Sequence, residues 1–356
     1  MEKFLYAKTR LTYKMAQEIQ NVIKESILYI NNSSNTLLSG KTVVVKVNIV
    51  GSHAPHTAAC THPEILRSLI KELLKYDVRI KIVEDCDNDN APETAGILAV
   101  SKEFNLPFIN LKKTEYNLID IAGSKYNYSK SILDADYLIL LPKLKTHILT
   151  NYTGAIKLMY GGISKDQRIK FHRNNDPIVF ANVLVDIFSI KQPILTIMDG
   201  ILSMDGVGPS HGTPNNSGLL LVSNNAVLLD YYASQYMGYN ANKIDMIRLA
   251  IERFQIDTND LTFIGDDLKD EKRKFAIIPQ FESKMKRRYI RMSMGLPKFI
   301  KDRCTMCGNC VRDCPNQAIY FDQKSLAVNP MKCNQCFCCM ELCCNNAVLF
   351  SGGKNG

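Results

Sequence analysis

Before residue 304 the chain has almost no cysteine, with Cys60 and Cys86 alone. It also lacks any apolar run near the roughly 20 residues that a membrane-spanning helix needs. The longest candidate, VFANVLVDIFSI at 179–190, is interrupted by Asn182 and Asp186. The opening MEKFLYAKTRL holds no apolar segment long enough for a secretion signal. These absences exclude a bilayer span and a disulfide-stapled secreted fold, and point to a cytoplasmic setting. Nucleotide signatures are missing too. The glycine-rich loop DGVGPSHGTPNNSG at 205–218 lacks the G-K-[ST] ending of a P-loop and does not fit G-x-G-x-x-G. It reads as an ordered loop, with His211 a weaker catalytic candidate. DCDND at 85–89 starts like a calcium loop, but Asn90 and Gly96 stand where glycine and glutamate are required.

What is present is a globular composition, 46% apolar over 356 residues, with room for two domains. The formal net charge of +9 is local. Residues 284–303 carry eight basic side chains against Asp302 alone. A basic run of this kind can bind nucleic acid. Aromatic interleaving is sparse, with only Tyr289 and Phe299, so nucleic acid is not the expected partner. The other reading is charge complementarity towards an anionic cofactor or an acidic electron-donor protein.

Ten of the twelve cysteines lie between 304 and 344. Cys304, Cys307, Cys310 and Cys314 follow C-x2-C-x2-C-x3-C, with Pro315 next. Cys333, Cys336, Cys339 and Cys343 repeat the spacing at an offset of 29. Ala318-Ile319 maps onto Ala347-Val348, and Phe321 onto Phe350. The repeat resembles the bacterial two-cluster ferredoxin. Three close thiolates on a tight loop hold three corners of an iron–sulfur cube, and the fourth belongs to the other cluster. The expected ligands are Cys304, Cys307, Cys310 and Cys343 for one [4Fe-4S] cluster. Cys333, Cys336, Cys339 and Cys314 are expected for the second. Zinc is the alternative, but zinc sites pair cysteines across a longer gap. Cys338 and Cys344 fit no ligand spacing and read as small buried apolar residues.

Residues 1–280 alternate β-branched runs with helical patterns. Strands are expected near 41–50, 78–85, 136–144, 193–200 and 218–223. Helices are expected near 12–31, 63–75, 92–104, 179–190, 226–237 and 241–255, with Thr61 as the cap of the second. Such alternation predicts an α/β fold with a largely parallel sheet layered with helices, followed by a small α+β ferredoxin-like part. In open parallel sheets, ligands bind beyond the carboxyl ends of the strands. Polar residues gather at those ends: Asn48, Asp85, Lys143, Lys145, His147 and Asp199. With Lys157 they suggest a small-anion site. Asn48, Lys143, Lys145 and Lys157 would bind charge, and His147 with Asp85 or Asp199 would move protons. The cluster of His53, His56, Cys60 and His62 matches no defensible metal spacing.

KVNIV (46–50), HPEI (62–65), LPKLKTH (141–147), TGAIKLMYGG (153–162), IMDGILSMDGVGPSHG (197–212) and AVLLD (226–230) together resemble the family catalogued as domain of unknown function 362. Val47 stands where the family pattern has proline. The resemblance supports the positions above as a site and implies fusion to a ferredoxin-like part, but supplies no reaction. The expected division is 1–282 for the α/β part with its core at about 40–250, 283–298 for a basic connector, and 299–356 for the two-cluster part. The expected function is an iron–sulfur oxidoreductase exchanging electrons with a small anionic substrate or cofactor and with a donor or acceptor protein. The rivals are a non-enzymatic redox adaptor and a nucleic-acid protein with structural clusters. A flavin could mediate, although no flavin motif is present.

Overall fold

The computed structural model describes residues 2–34, 38–86, 88–173, 176–268, 275–280, 292–343 and 345–350. Expectations placed on Cys344 and on connector residues 283–291 lie outside the described residues. The strands of the larger part are β1 (Phe4–Lys8), β2 (Thr42–Val47), β3 (Arg79–Glu84), β4 (Phe108–Asn110), β5 (Tyr116–Ile121), β6 (Ser124–Ser129), β7 (Tyr137–Leu141), β8 (Lys143–His147), β9 (Asn151–Thr153), β10 (Leu195–Asp205), β11 (Thr213–Asn215), β12 (Leu219–Ser223) and β13 (Thr262–Gly265). The main sheet runs β13-β1-β12-β10-β7-β2-β3-β4. All but β12 point the same way along this path. The fold is therefore α/β with a mostly parallel sheet, as the alternation predicts.

The strands are apolar on both faces because helices cover both. Val44, Leu138, Leu140, Leu219 and Leu221 face one core with helices Pro177–Ile190, Ala226–Tyr236 and Asp245–Phe254. Val43, Val45, Ile139, Leu141, Leu220 and Val222 face the other, with helices Ala16–Ser34 and Pro63–Leu73. Strands buried on both sides read as continuous Val/Ile/Leu runs, which is why these were legible. Each fully buried aliphatic side chain contributes about 1.5–3 kcal/mol, so these paired cores dominate the favourable side of folding. Among the described residues, no helix is long and apolar enough to cross a membrane.

Three local expectations need correction. The predicted strand 136–144 is two strands, β7 and β8, separated by Pro142, which has no N–H to donate. Past it the chain follows β10, pairing Lys143 with Asp199 and Lys145 with Met204 across a register shift. The helix expected at 92–104 is broken at Gly96, whose φ of +74° no helical residue adopts. Thr61 does not cap the helix Pro63–Leu73. The cap is His62, whose Nδ1 accepts from the Glu64 N–H at 3.2 Å. The Thr61 hydroxyl is engaged in joining two strand ends, accepting from the Asn48 N–H and donating to the Leu141 carbonyl at 2.6 Å.

The segment after β9 is pinned by one buried carboxylate. Asp230 accepts from the Tyr152 hydroxyl and from the N–H groups of Ala155 and Ile156, at 3.0, 2.8 and 2.9 Å. Gly154 permits this approach, since a Cβ there would lie 2.2 Å from Asp230 Oδ1. The short helix Ala155–Leu158, which carries Lys157, is fixed by this clamp.

The C-terminal part contains β14 (Pro297–Phe299), β15 (Ile319–Asp322), β16 (Ser325–Val328) and β17 (Val348–Phe350). β14 pairs with β17, and β15 with β16, both antiparallel. The repeat persists in three dimensions. Helices Asn309–Arg312 and Cys338–Glu341 sit 29 residues apart. So do the left-handed pairs Met306/Gln335, at φ 56° in both, and Gly308/Phe337. Ile148, just past β8, packs into this part's own core with Cys310, Phe337 and Met340. The larger part thus places an apolar plug in the smaller.

Asp230→Ala leaves two buried N–H groups and a phenol without their acceptor. A loss of about 3 kcal/mol is expected, read as a lower urea midpoint with the slope unchanged.

Candidate functional site

The eight spaced thiols divide between two small cavities. One is lined by Cys304, Cys307, Cys310 and Cys343. The other is lined by Cys314, Cys333, Cys336 and Cys339. Each set takes three thiols from one repeat and the fourth from the other. The fourth thiols receive equivalent backbone bonds: Ala318 N–H to Cys314 Sγ and Ala347 N–H to Cys343 Sγ, both 3.2 Å. Amide donation of this kind suits a sulfur that carries negative charge. Burial, and then the neighbouring Cys343, Cys307 and Cys304, push the Cys310 thiol up to about 12. Bound cations reverse that tendency. Among the described residues no group of three or more His, Cys, Asp or Glu could hold a single metal ion. In each set the four thiols line one enclosed space.

A third cavity of about 170 Å³ lies between the two parts of the chain. Its floor is the carboxyl end of the sheet, with Asn48, Glu84, Asp85, Lys143 and Lys145. Lys157 and Tyr160 form one wall, and Lys165, Arg168 and His172 of the helix Lys165–His172 another. Cys338 and Glu341 close it from the ferredoxin-like side. The helix Lys165–His172 ties the parts together. Arg168 pairs with Asp85, and Lys165 pairs with Asp313 at 2.8 Å.

Residues 43–235 match the family described as domain of unknown function (DUF362), and residues 297–320 match the 4Fe-4S binding domain. The chain belongs to the DUF362 family. It is an iron–sulfur protein in which the family domain is followed by a ferredoxin-type segment. It is 26% identical over 202 residues to the thylakoid-associated protein sll1697 of Synechocystis sp. (strain ATCC 27184 / PCC 6803 / Kazusa), covering 55% of this chain and 63% of that protein. It is 38% identical over 39 residues to a ferredoxin-like protein in the nif region of Sinorhizobium fredii (strain NBRC 101917 / NGR234), covering 11% and 61%. The chain therefore spans about three-fifths of each of these relatives. The lactate racemase apoprotein of Thermoanaerobacterium thermosaccharolyticum aligns with a TM-score of 0.40 at 15% identity, over 61% of this chain and 53% of that one.

In this DUF362 chain the buried charges separate into paired and unpaired. Lys46 meets Glu84 at 2.6 Å. Lys143 meets Asp199 at 2.7 Å, both fully buried, and Tyr13 and the His62 N–H complete that carboxylate's bonds. Lys143 is thus neutralised within the fold. Lys145, also buried, donates to the Ala59 carbonyl at 2.7 Å and makes no ion pair among the described residues. Burial lowers its ammonium to about 7, with Lys157 and Lys143 adding to the shift and Cys60 and Glu341 opposing it. Lys157 is half-buried and makes no ion pair among the described residues. Its ammonium is lowered by burial and held up by Glu341.

Of the predicted site residues, Asn48, Asp85, Lys143, Lys145 and Lys157 border this cavity. Asp199 lies behind it with Lys143. His147 is fully buried at the end of β8, its Nδ1 accepting from Leu149 N–H at 3.1 Å. Its Nε2 stands 3.5 Å from Glu341 Oε1. His211 is held by Ser210 at 2.9 Å and does not border the cavity. Glu84 ends its strand beside Asp85, as the run of polar residues at strand ends suggests, whereas Arg168 and Glu341 carry no motif and were not foreseen. Cys338 was visible as a surplus thiol, and it is buried as expected, but it also faces the cavity.

Lys143→Met leaves the Asp199 carboxylate buried without its cation. About 3–5 kcal/mol of stability is expected to be lost in chemical denaturation. A Lys143→Met protein as stable as wild type would show that the pair does not serve the fold.

Proposed function

We propose that the chain is an oxidoreductase in which two [4Fe-4S] clusters exchange electrons with a small anion bound in the cavity between the two parts. The observation that carries this reading is the composition of the walls. Strand-end lysines form one side, and Cys338 and Glu341, which interleave with the thiols Cys336, Cys339 and Cys343, form the other. One cluster is assigned to Cys304, Cys307, Cys310 and Cys343, the other to Cys314, Cys333, Cys336 and Cys339. When bound, the clusters supply single electrons at potentials set by charge, hydrogen bonding and exposure.

The remaining work falls to side chains. Lys157 and Lys145 make no ion pair among the described residues, so an anion lowers the cost of charging them where they are buried. Arg168 orients the ligand from the wall opposite the sheet, and Asn48 supplies an amide at its edge. Lys143 acts through Asp199, stiffening the strand ends rather than touching the ligand. His147 sits one residue removed, behind Glu341. The cavity is smaller than the roughly 300–1,000 Å³ of drug-sized sites, which favours a small metabolite over a flavin. The reading places the chain in a reducing compartment such as the cytoplasm, where thiolates stay free for iron. The basic residues before Cys304 would suit an acidic electron-transfer partner.

Oxalate, a small dianion with no reactive carbonyl, tests the shared cavity. Added to dithionite-reduced full-length protein, it should perturb the EPR signal of one cluster. Lys157→Ala should weaken that response by roughly tenfold with cluster absorbance retained. Spectra indifferent to oxalate and to Lys157→Ala would favour the redox adaptor.

A further inference from the structure

We propose that the cavity takes a small 2-oxo carboxylate, its carboxylate held by Arg168 and Lys157 and its carbonyl carbon captured by Lys145 as an imine. This deepens the reading above and rests on the same cavity. Three observations converge on it.

The first is the guanidinium. Arg168 borders the cavity and pairs through Nη1 with Asp85. Its Nε and Nη2 are buried and have no acceptor among the described residues. Those two N–H groups form one edge of the guanidinium fork, the edge that matches both oxygens of a carboxylate. Buried donors left open in a cavity wall mark a missing acceptor.

The second is the neighbourhood of Lys157. It bears on both Lys145 and Arg168 electrostatically, so these cations form a connected series around the cavity. A carboxylate between Arg168 and Lys157 brings an adjacent carbonyl towards Lys145.

The third is the condition of Lys145. It is buried at the sheet's carboxyl end, where a hydrogen bond to Ala59 aims it; it makes no ion pair among the described residues, and Glu341 offsets only part of the lowering that burial causes. The groups facing it are Cys60 and His53 from the loop after β2, Lys143 from its own strand, Lys157, and Glu341. Desolvation beside other cations is how proteins keep an amine neutral and nucleophilic near pH 7, and its value of about 7 agrees.

The chemistry balances without a redox partner. The Nζ lone pair forms a C–N bond, and the carbonyl electrons move to oxygen, which takes a proton to give a carbinolamine. Loss of the second amine proton and of that hydroxyl as water leaves the imine. An imine carbon accepts electrons more readily than the parent ketone, which suits a site facing an iron–sulfur centre.

Holo-protein is incubated anaerobically with pyruvate and cyanoborohydride, then analysed by intact mass and peptide mapping. The expected product is one adduct per chain on Lys145, heavier by pyruvic acid less one oxygen. Capture should rise through about pH 7 and then level, whereas an ordinary lysine would keep gaining reactivity towards about pH 10. Acetone, which lacks the carboxylate, and Arg168→Ala protein should each be captured roughly tenfold less well. No adduct, or adducts spread over surface lysines and unchanged in Lys145→Met, would overturn the proposal. The wild-type map decides the matter even if Lys145→Met does not fold. Adduct formation in a protein whose clusters ignore oxalate would keep this inference and remove the electron-transfer reading. An oxalate response without adduct would do the reverse.

Discussion

The architecture turns on thiols that cross between two halves of a repeat. Cys343 stands with the first triplet and Cys314 with the second. A centre held this way cannot form in one repeat alone, so metal binding and folding of the C-terminal part are coupled. The same crossing fixes the helix Cys338–Glu341, which supplies Cys339 to one cavity and turns Cys338 and Glu341 towards the sheet. Phe337 at the head of that helix has φ 62°, where the first repeat has Gly308. A non-glycine residue there costs on the order of 1–3 kcal/mol, which ligation and the packing of Phe337 against Phe350 can offset.

The larger part meets this helix with charge. Parallel strands end together, so one edge gathers Lys46, Glu84, Asp85, Lys143 and Lys145. Most of these cancel locally: Lys46 with Glu84, Lys143 with Asp199, Arg168 with Asp85. Buried ion pairs of this sort add little net stability over apolar packing, yet removing one partner is costly. They serve here to hold strand ends rigid. The cations left over, Lys145 and Lys157, are where a ligand's charge would be felt most. Ile148 inserted into the smaller core keeps the two walls in register.

Much of this was legible in the sequence, for physical reasons that also explain the rest. Strands covered on both faces read as unbroken apolar runs, so β2, β3, β7, β10 and β12 were found within a few residues. The thiol spacing anticipated which four thiols line each cavity, because the offset of the repeat sets the fourth beside the other triplet. The antiparallel β5–β6 hairpin was missed, since its alternation is weak and one face is exposed. Helix Lys165–His172 buries no residue and left no periodic signal. Arg168 and Glu341 therefore stayed hidden, because their roles come from the meeting of distant segments. Asp199 and Lys143 looked like separate site residues; Lys143 borders the cavity and is paired with Asp199, a pairing that needs coordinates. Thr61 looked like a helix cap because its hydroxyl precedes Pro63, but strand ends compete for the same oxygen.

Iron and sulfide counting on anaerobically prepared protein, combined with EPR of single variants, tests the crossed thiols most directly. Wild type should hold about eight irons. Cys304→Ala and Cys343→Ala, although in different repeats, should lose the same cluster signal and about four irons each. If Cys343→Ala instead removed the signal lost in Cys333→Ala, or if the metal were zinc, the crossed arrangement would be wrong, and with it the cavity's link to a redox centre.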